Sequence, residues 1–211
     1  MYYCRNKFNR KFTLPNLSIF YYVWILDLFS SWFKAHFRYF LIAMVVPYTF
    51  KDWKKVLILV SIFTVGHTLA LLLSVFNVVF IKADVVEFLI PITILVTAIY
   101  NLFTAGKTSK NNNMNFIGFI TLFFGTIHGL GFSNYFNSIL SGKPTDKVIP
   151  LLEFATGIEA AQIIVVLTVL IFSWLLQTFF RFSKRDFVLI LSAFVVGVVT
   201  PMIIESKIWS Y

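Results

Sequence analysis

The chain has 211 residues, of which 59% are hydrophobic and 13% are charged, whereas a typical soluble domain is about 45–50% apolar and about 25% charged. Apolar runs of about 20 residues recur along it, so the composition excludes a soluble domain and predicts an all-α membrane protein, a polytopic helical bundle. The net charge of +9 lies in short basic clusters between the apolar runs, a pattern that marks cytoplasmic loops and argues against nucleic acid as a partner. A single cysteine, Cys4, excludes an intrachain disulfide and a cysteine-based metal site.

The N-terminal region predicts a basic leader followed by apolar segments. Residues 1–13 carry four basic side chains and no acid, which indicates a cytoplasmic leader ahead of a single transmembrane domain at 14–211. A first apolar segment covers about 15–33. A second, at 39–50, has twelve residues, which is short for a full crossing. It either extends back past Arg38 or forms a half-helix that ends near Pro47.

Five further helices are predicted at about 55–80, 84–104, 118–137, 149–180 and 187–205, separated by polar or basic turns. With the first two segments they make seven spans, with the N-terminus inside and the C-terminus outside. This orientation places twelve lysines and arginines on the cytoplasmic side and six on the other side, as the positive-inside rule requires. It depends on a full crossing by the second segment.

The helix predicted at 118–137 carries a histidine among glycines. Gly125 and Gly129 form a GxxxG pair, which allows the backbone of another helix to approach closely. His128 lies between them in sequence, and a histidine in hydrocarbon is costly unless it faces the interior of the bundle. We therefore expect this helix to lie inside the bundle and to present His128 to its neighbours.

Other helices carry polar residues at a similar depth. With a rise of about 1.5 Å per residue, His67, His128 and Glu159 all fall near the middle of the bilayer. Two imidazoles and a carboxylate suit a first-row metal such as nickel, iron or zinc, but they could also relay protons or hold helices together by hydrogen bonds. The sequence leaves these readings open. Residues predicted to support the site are Thr64, Thr68, Asn101 and Gln162.

Two acids near the start of the fourth predicted helix have two interpretations. Asp84 and Glu87 would stabilise the N-terminal helix dipole, and Glu87 could also serve as a metal ligand near the outer face. The chain has no GxSxG, HExxH or Walker motif, so an enzymatic role is not predicted. An intramembrane enzyme that uses the same histidines remains a third alternative.

Four stretches resemble the HupE/UreJ family, bacterial inner-membrane proteins named as hydrogenase and urease accessory proteins. They read Phe63-Thr-Val-Gly-His-Thr-Leu-Ala-Leu, Val86-Glu-Phe-Leu-Ile-Pro, His128-Gly-Leu-Gly-Phe and Gly157-Ile-Glu-Ala-Ala-Gln. The resemblance covers about residues 48–166. The family-matching polar positions are His67, Glu87, Asn101, His128, Glu159 and Gln162.

The resemblance implies a multi-pass inner-membrane permease or accessory protein for a divalent transition metal, most of all nickel. Its ligands would be His67, His128, Glu159 and Glu87. The alternative is a non-transporting subunit that binds other membrane subunits within the lipid bilayer. One family feature is missing, since the region that usually holds a histidine followed by an Asp-His pair reads Phe33-Lys-Ala-His-Phe-Arg-Tyr-Phe.

Overall fold

A computed structural model describes residues 36–79, 81–106, 114–139 and 143–210 of the chain. These residues form six α-helices, joined in places by short 3-10 turns, and the described part contains no strand. The helices are α1 (His36–Val45), α2 (Trp53–Val75), α3 (Ala83–Thr104), α4 (Met114–Ile139), α5 (Val148–Phe179) and α6 (Lys184–Ile204). The predicted leader at 1–13 and the first apolar segment at 15–33 lie outside the described residues.

Five of these helices are long and apolar enough to cross a membrane, each running through one of the regions Phe50–Val75, Ala83–Thr104, Met114–Ser133, Pro144–Phe179 and Lys184–Ile204. The predicted class, an all-helical multi-pass membrane protein, is therefore confirmed. The predicted count of seven spans is not confirmed, because the described residues supply five candidates. The orientation of the termini stays a prediction.

The segment predicted at 39–50 is a shorter helix, His36–Val45, and the boundaries of the five long helices follow the predicted ones closely, with one clear exception. The helix predicted at about 55–80 ends at Val75, because Asn77 adopts a left-handed backbone with a φ of 54°. Its amide and that of Val78 bond back to Ser74 and Leu73, which closes the helix end in the manner of a C-terminal cap. An apolar run alone does not reveal this stop.

The short helix α1 packs inside the bundle, in contact with α3, α5 and α6. Phe40, Leu41 and Val45 are almost completely buried. Its ten described residues span about 15 Å, and it ends before Pro47. The structure therefore places this apolar segment in the core of the protein rather than at its lipid-facing surface.

Asn101 of α3 replaces a backbone donor that α1 lacks. In a continuing helix, the Ala43 carbonyl would accept from the amide of residue 47, but proline has no N–H. The Asn101 side-chain amide donates to the Ala43 carbonyl instead, and Asn101 is itself buried. In the structure this bond caps the end of α1, and the predicted role of Asn101 as a supporting residue of a metal site stays a prediction.

Three glycines bring α2 and α4 into backbone contact, as the GxxxG pair predicted. A methyl group added at Gly125 would meet the Phe63 carbonyl, and one at Gly129 would meet the backbone of His67. The contact is reciprocal, since a methyl group at Gly66 of α2 would meet the Leu122 carbonyl of α4. This packing is confirmed, and it fixes the positions from which both histidines project.

One end of the bundle carries a concentration of exposed cations, which we call the basic end. The Arg185 side chain packs against Gly106, Val46 packs with Phe187 and Val188, and the 3-10 turn Phe50–Asp52 contacts α5. These contacts bring together the starts of α2 and α6 and the ends of α1, α3 and α5. The exposed cations of the basic end are Lys51, Lys54, Lys55, Arg181, Lys184 and Arg185.

Candidate functional site

His67 lies in the interior of the bundle with its polar atoms unmatched. Its side chain is 3% exposed, and neither ring nitrogen has a hydrogen-bond partner among the described residues. The rings of Phe63, Phe132 and Phe154 lie with their centroids 6.3, 6.3 and 6.5 Å from that of the imidazole. A buried imidazole always carries a donor or an acceptor that needs a partner, so this position favours a ligand or water at the ring.

His128 lies on α4 and is held by a polar contact to α3. Its Nε2 is 3.3 Å from the Thr93 hydroxyl, while that hydroxyl is 2.7 Å from the Ile90 carbonyl. Because the Thr93 hydrogen is donated to the carbonyl, the hydroxyl oxygen accepts from Nε2–H, and this favours the tautomer that leaves Nδ1 as the acceptor. The imidazole is buried.

Phe63 links the surroundings of the two histidines. Its ring centroid lies 5.3 Å from that of His128 and 6.3 Å from that of His67. Phe40 of α1 lies 4.8 Å from both His128 and Phe63. The two imidazoles therefore border one aromatic cluster, built by α1, α2 and α4.

Two side-chain hydrogen bonds cross between α2 and α5. The Ser61 hydroxyl donates to Glu159 Oε1 at 2.7 Å, and the Thr64 hydroxyl lies 3.2 Å from Gln162 Oε1. Gln162 is completely buried, and its Nε2 has no partner among the described residues. The α2–α5 crossing therefore contains a polar pair at its buried side, Thr64 with Gln162, and another at its more exposed side, Ser61 with Glu159.

The remaining predicted site residues have different surroundings. Glu87 is exposed near the start of α3, and Thr68 is half-buried and donates to the Thr64 carbonyl of its own helix. In the described ranges, no group of three or more histidine, cysteine, aspartate or glutamate side chains could hold a metal ion. The structure thus brings His67 and His128 to one aromatic cluster and Glu159 to the α2–α5 crossing. It does not join them with Glu87 in one such ligand set.

Thr93 and Ser61 are the polar partners that sequence reasoning did not assign to the site. Thr93 follows Pro91 by two residues in an apolar helix, and Ser61 precedes Thr64 by one helical turn. A scan for hydroxyl residues one turn from a predicted polar position would have found Ser61. The Thr93 partnership depends on the contact between α3 and α4, which the sequence does not specify.

The fold and the buried polar groups define the class of protein, a multi-pass helical membrane protein with histidines inside its bundle. A family model described as HupE / UreJ protein matches residues 35–206. The chain therefore belongs to the HupE/UreJ family, as the sequence resemblance predicted. No curated protein and no solved structure gives a significant match.

Proposed function

We propose that this protein is an inner-membrane permease for a divalent transition metal, with nickel as the favoured cargo. The observation that carries the proposal is the buried imidazole of His67, whose ring nitrogens lack a hydrogen-bond partner in the described part of the chain. An unpaired imidazole nitrogen in apolar surroundings is unfavourable by about 1–3 kcal/mol. It is also a preferred ligand of nickel and zinc.

The absence of a three-ligand cluster in the described residues fits transit better than storage. A permeating ion must bind well enough to enter and weakly enough to leave. A dication that meets one or two protein ligands at a time keeps part of its water shell and exchanges quickly. We therefore assign His67 and His128 as successive imidazole ligands rather than as members of one closed site.

The carboxylates supply the charge that the imidazoles lack. Glu159 accepts a hydrogen bond from Ser61 and would offer a negative charge to the cargo at the α2–α5 crossing. Glu87 is exposed near the start of α3 and would attract cations at the outer mouth. Thr64 and Gln162, which are both buried, would line the inner side of the crossing with polar atoms.

The orientation proposed here has the basic end in the cytoplasm. Its six exposed cations follow the tendency of lysine and arginine to remain on that side of a membrane. The starts of α3 and α5 then face outside, where Glu87 can meet incoming ions. The same orientation agrees with a cytoplasmic leader at 1–13.

Metal uptake into proteoliposomes tests the proposal. We expect nickel influx into vesicles with the purified protein, and loss of at least about 90% of it in His67→Ala, since a removed ligand typically lowers metal handling about 10-fold or more. Glu159→Gln should also reduce influx, whereas Glu205→Gln, which changes an exposed carboxylate at the end of α6, serves as the matched control. Influx that survives His67→Ala and His128→Ala together would refute the proposal.

A non-transporting subunit of a larger membrane assembly is the second candidate, and the side-chain hydrogen bonds that join α2 to α5, from Ser61 to Glu159 and from Thr64 to Gln162, are the observation that favours it. The polar groups would then serve helix association alone. Purification of a stable complex with other membrane proteins, combined with no metal flux, would support this candidate over the permease.

A further inference from the structure

The turn between α5 and α6 gathers exposed cations and exposed aromatic rings at the basic end. Arg181, Lys184 and Arg185 are all exposed, and Phe180 is 72% exposed beside them. Phe182 is exposed as well. Cations next to aromatic rings at the end of membrane-spanning helices lie where the headgroups of a bilayer begin.

The start of α2 adds to the same surface. Lys54 lies over the ring of Trp53, with Nζ 5.7 Å from the centroid. Lys55 is paired with Asp52 at 3.2 Å, so it is partly neutralised within the protein. The 3-10 turn Phe50–Asp52 also contacts α5, the helix that leads into the α5–α6 turn.

Arg181 occupies a backbone conformation that suits glycine. Its φ is 53°, and a left-handed residue that directly follows the end of a helix is usually glycine. A side chain at this conformation is unfavourable for the fold. An exposed arginine in a strained backbone conformation indicates that its side chain has a function other than stabilising the fold.

We propose that the α5–α6 turn binds the phosphate headgroup of an anionic phospholipid, through Arg181, Lys184 and Arg185, with Phe180 and Phe182 in the interfacial layer. The charge is complementary, since three exposed cations face the layer in which anionic headgroups lie. This binding is independent of metal transport, because none of these residues belongs to the proposed site.

The test compares the purified protein in nanodiscs of phosphatidylcholine alone and of phosphatidylcholine mixed with phosphatidylglycerol. We expect the anionic lipid to raise the thermal unfolding midpoint and to remain bound in native mass spectra. Arg181→Gly should unfold at a higher temperature in phosphatidylcholine, because it relieves the left-handed strain. It should bind phosphatidylglycerol about fivefold more weakly, the factor expected when one cation leaves an anionic surface. Arg181→Gln, which keeps the strain and removes the charge, should show the weaker binding without the gain in stability.

Asn77→Gly is the matched control. Asn77 has the same left-handed backbone, with a φ of 54°, but it follows the end of α2 that lies away from the basic end. This variant should raise the midpoint by a smaller amount, because asparagine tolerates the left-handed region better than arginine, and it should leave the dependence on phosphatidylglycerol unchanged. Equal stabilisation by both lipids would overturn the proposal, as would undiminished phosphatidylglycerol binding by Arg181→Gly. A shift of the same size with free inorganic phosphate would show a site for soluble anions instead.

Discussion

Replacement of His67 by leucine separates a ligand role from a structural role for this imidazole. The side chain is 3% exposed and borders three phenylalanine rings, so leucine retains most of the apolar contact. A buried imidazole whose ring nitrogens have no partner among the described residues is unfavourable by about 1–3 kcal/mol in all. We therefore expect His67→Leu to raise the stability by about 1–3 kcal/mol, and the thermal midpoint by roughly 2–12 °C for a chain of this length.

The measurement is thermal unfolding of the purified protein in detergent, followed by circular dichroism, alongside nickel influx into proteoliposomes. The matched variant is His128→Leu, which removes an imidazole that contacts Thr93. It should lower the stability by about 0.6–1.7 kcal/mol, the range of hydrogen bonds between membrane helices. A stable but inactive His67→Leu would assign the imidazole to transport. A His67→Leu variant that loses as much stability as His128→Leu would refute this reasoning, because the ring would then form a structural bond.

Three further predictions concern packing and hydrogen bonds. Gly125→Ala and Gly129→Ala should each destabilise the protein by about 1–3 kcal/mol through overpacking, because the new methyl groups meet the α2 backbone. The control is Gly157→Ala, which has open space around it and should be neutral or stabilising in the same thermal unfolding experiment. Asn101→Leu should cost about 1–3 kcal/mol by leaving the Ala43 carbonyl without its donor, and a thermal midpoint equal to the wild-type value would disprove the capping role. Thr93→Val should lower nickel influx, as His128→Ala should, because it removes the hydroxyl that fixes the tautomer of His128. Unchanged influx would limit Thr93 to a packing role.

Five of the predicted spans and the close backbone approach of α2 and α4 could be predicted because each depends on a local pattern. Apolar runs of sufficient length identify membrane-crossing helices whatever their neighbours are. The GxxxG pair at Gly125 and Gly129 indicates that the backbone of another helix comes close, but it does not identify that helix. The structure supplies the partner, α2, and the reciprocal glycine, Gly66.

The polar contacts could not be predicted in the same way, because each joins residues far apart in the chain. Asn101 was predicted to support a metal site, and its amide donates to the Ala43 carbonyl, which Pro47 leaves without a backbone donor; the sequence does not reveal this contact. Glu159 matched the depth of both histidines, yet in the structure it accepts a hydrogen bond from the Ser61 hydroxyl on α2. Depth along a helix is set by the sequence, whereas the direction a side chain faces depends on how the helices pack.

The glycine contact links the stability of this bundle to the position of its histidines. Gly129 lies against the backbone of His67, and it follows His128 directly in the chain. The relative placement of the two imidazoles is therefore fixed by backbone packing, and side-chain rotation adjusts it only locally. A methyl group at Gly129 must push α2 and α4 apart and change the separation of the rings, whereas one at Gly118 meets only the end of the Ile62 side chain, at 3.3 Å. If both imidazoles serve the same cargo, metal influx should fall steeply in Gly129→Ala and only slightly in Gly118→Ala.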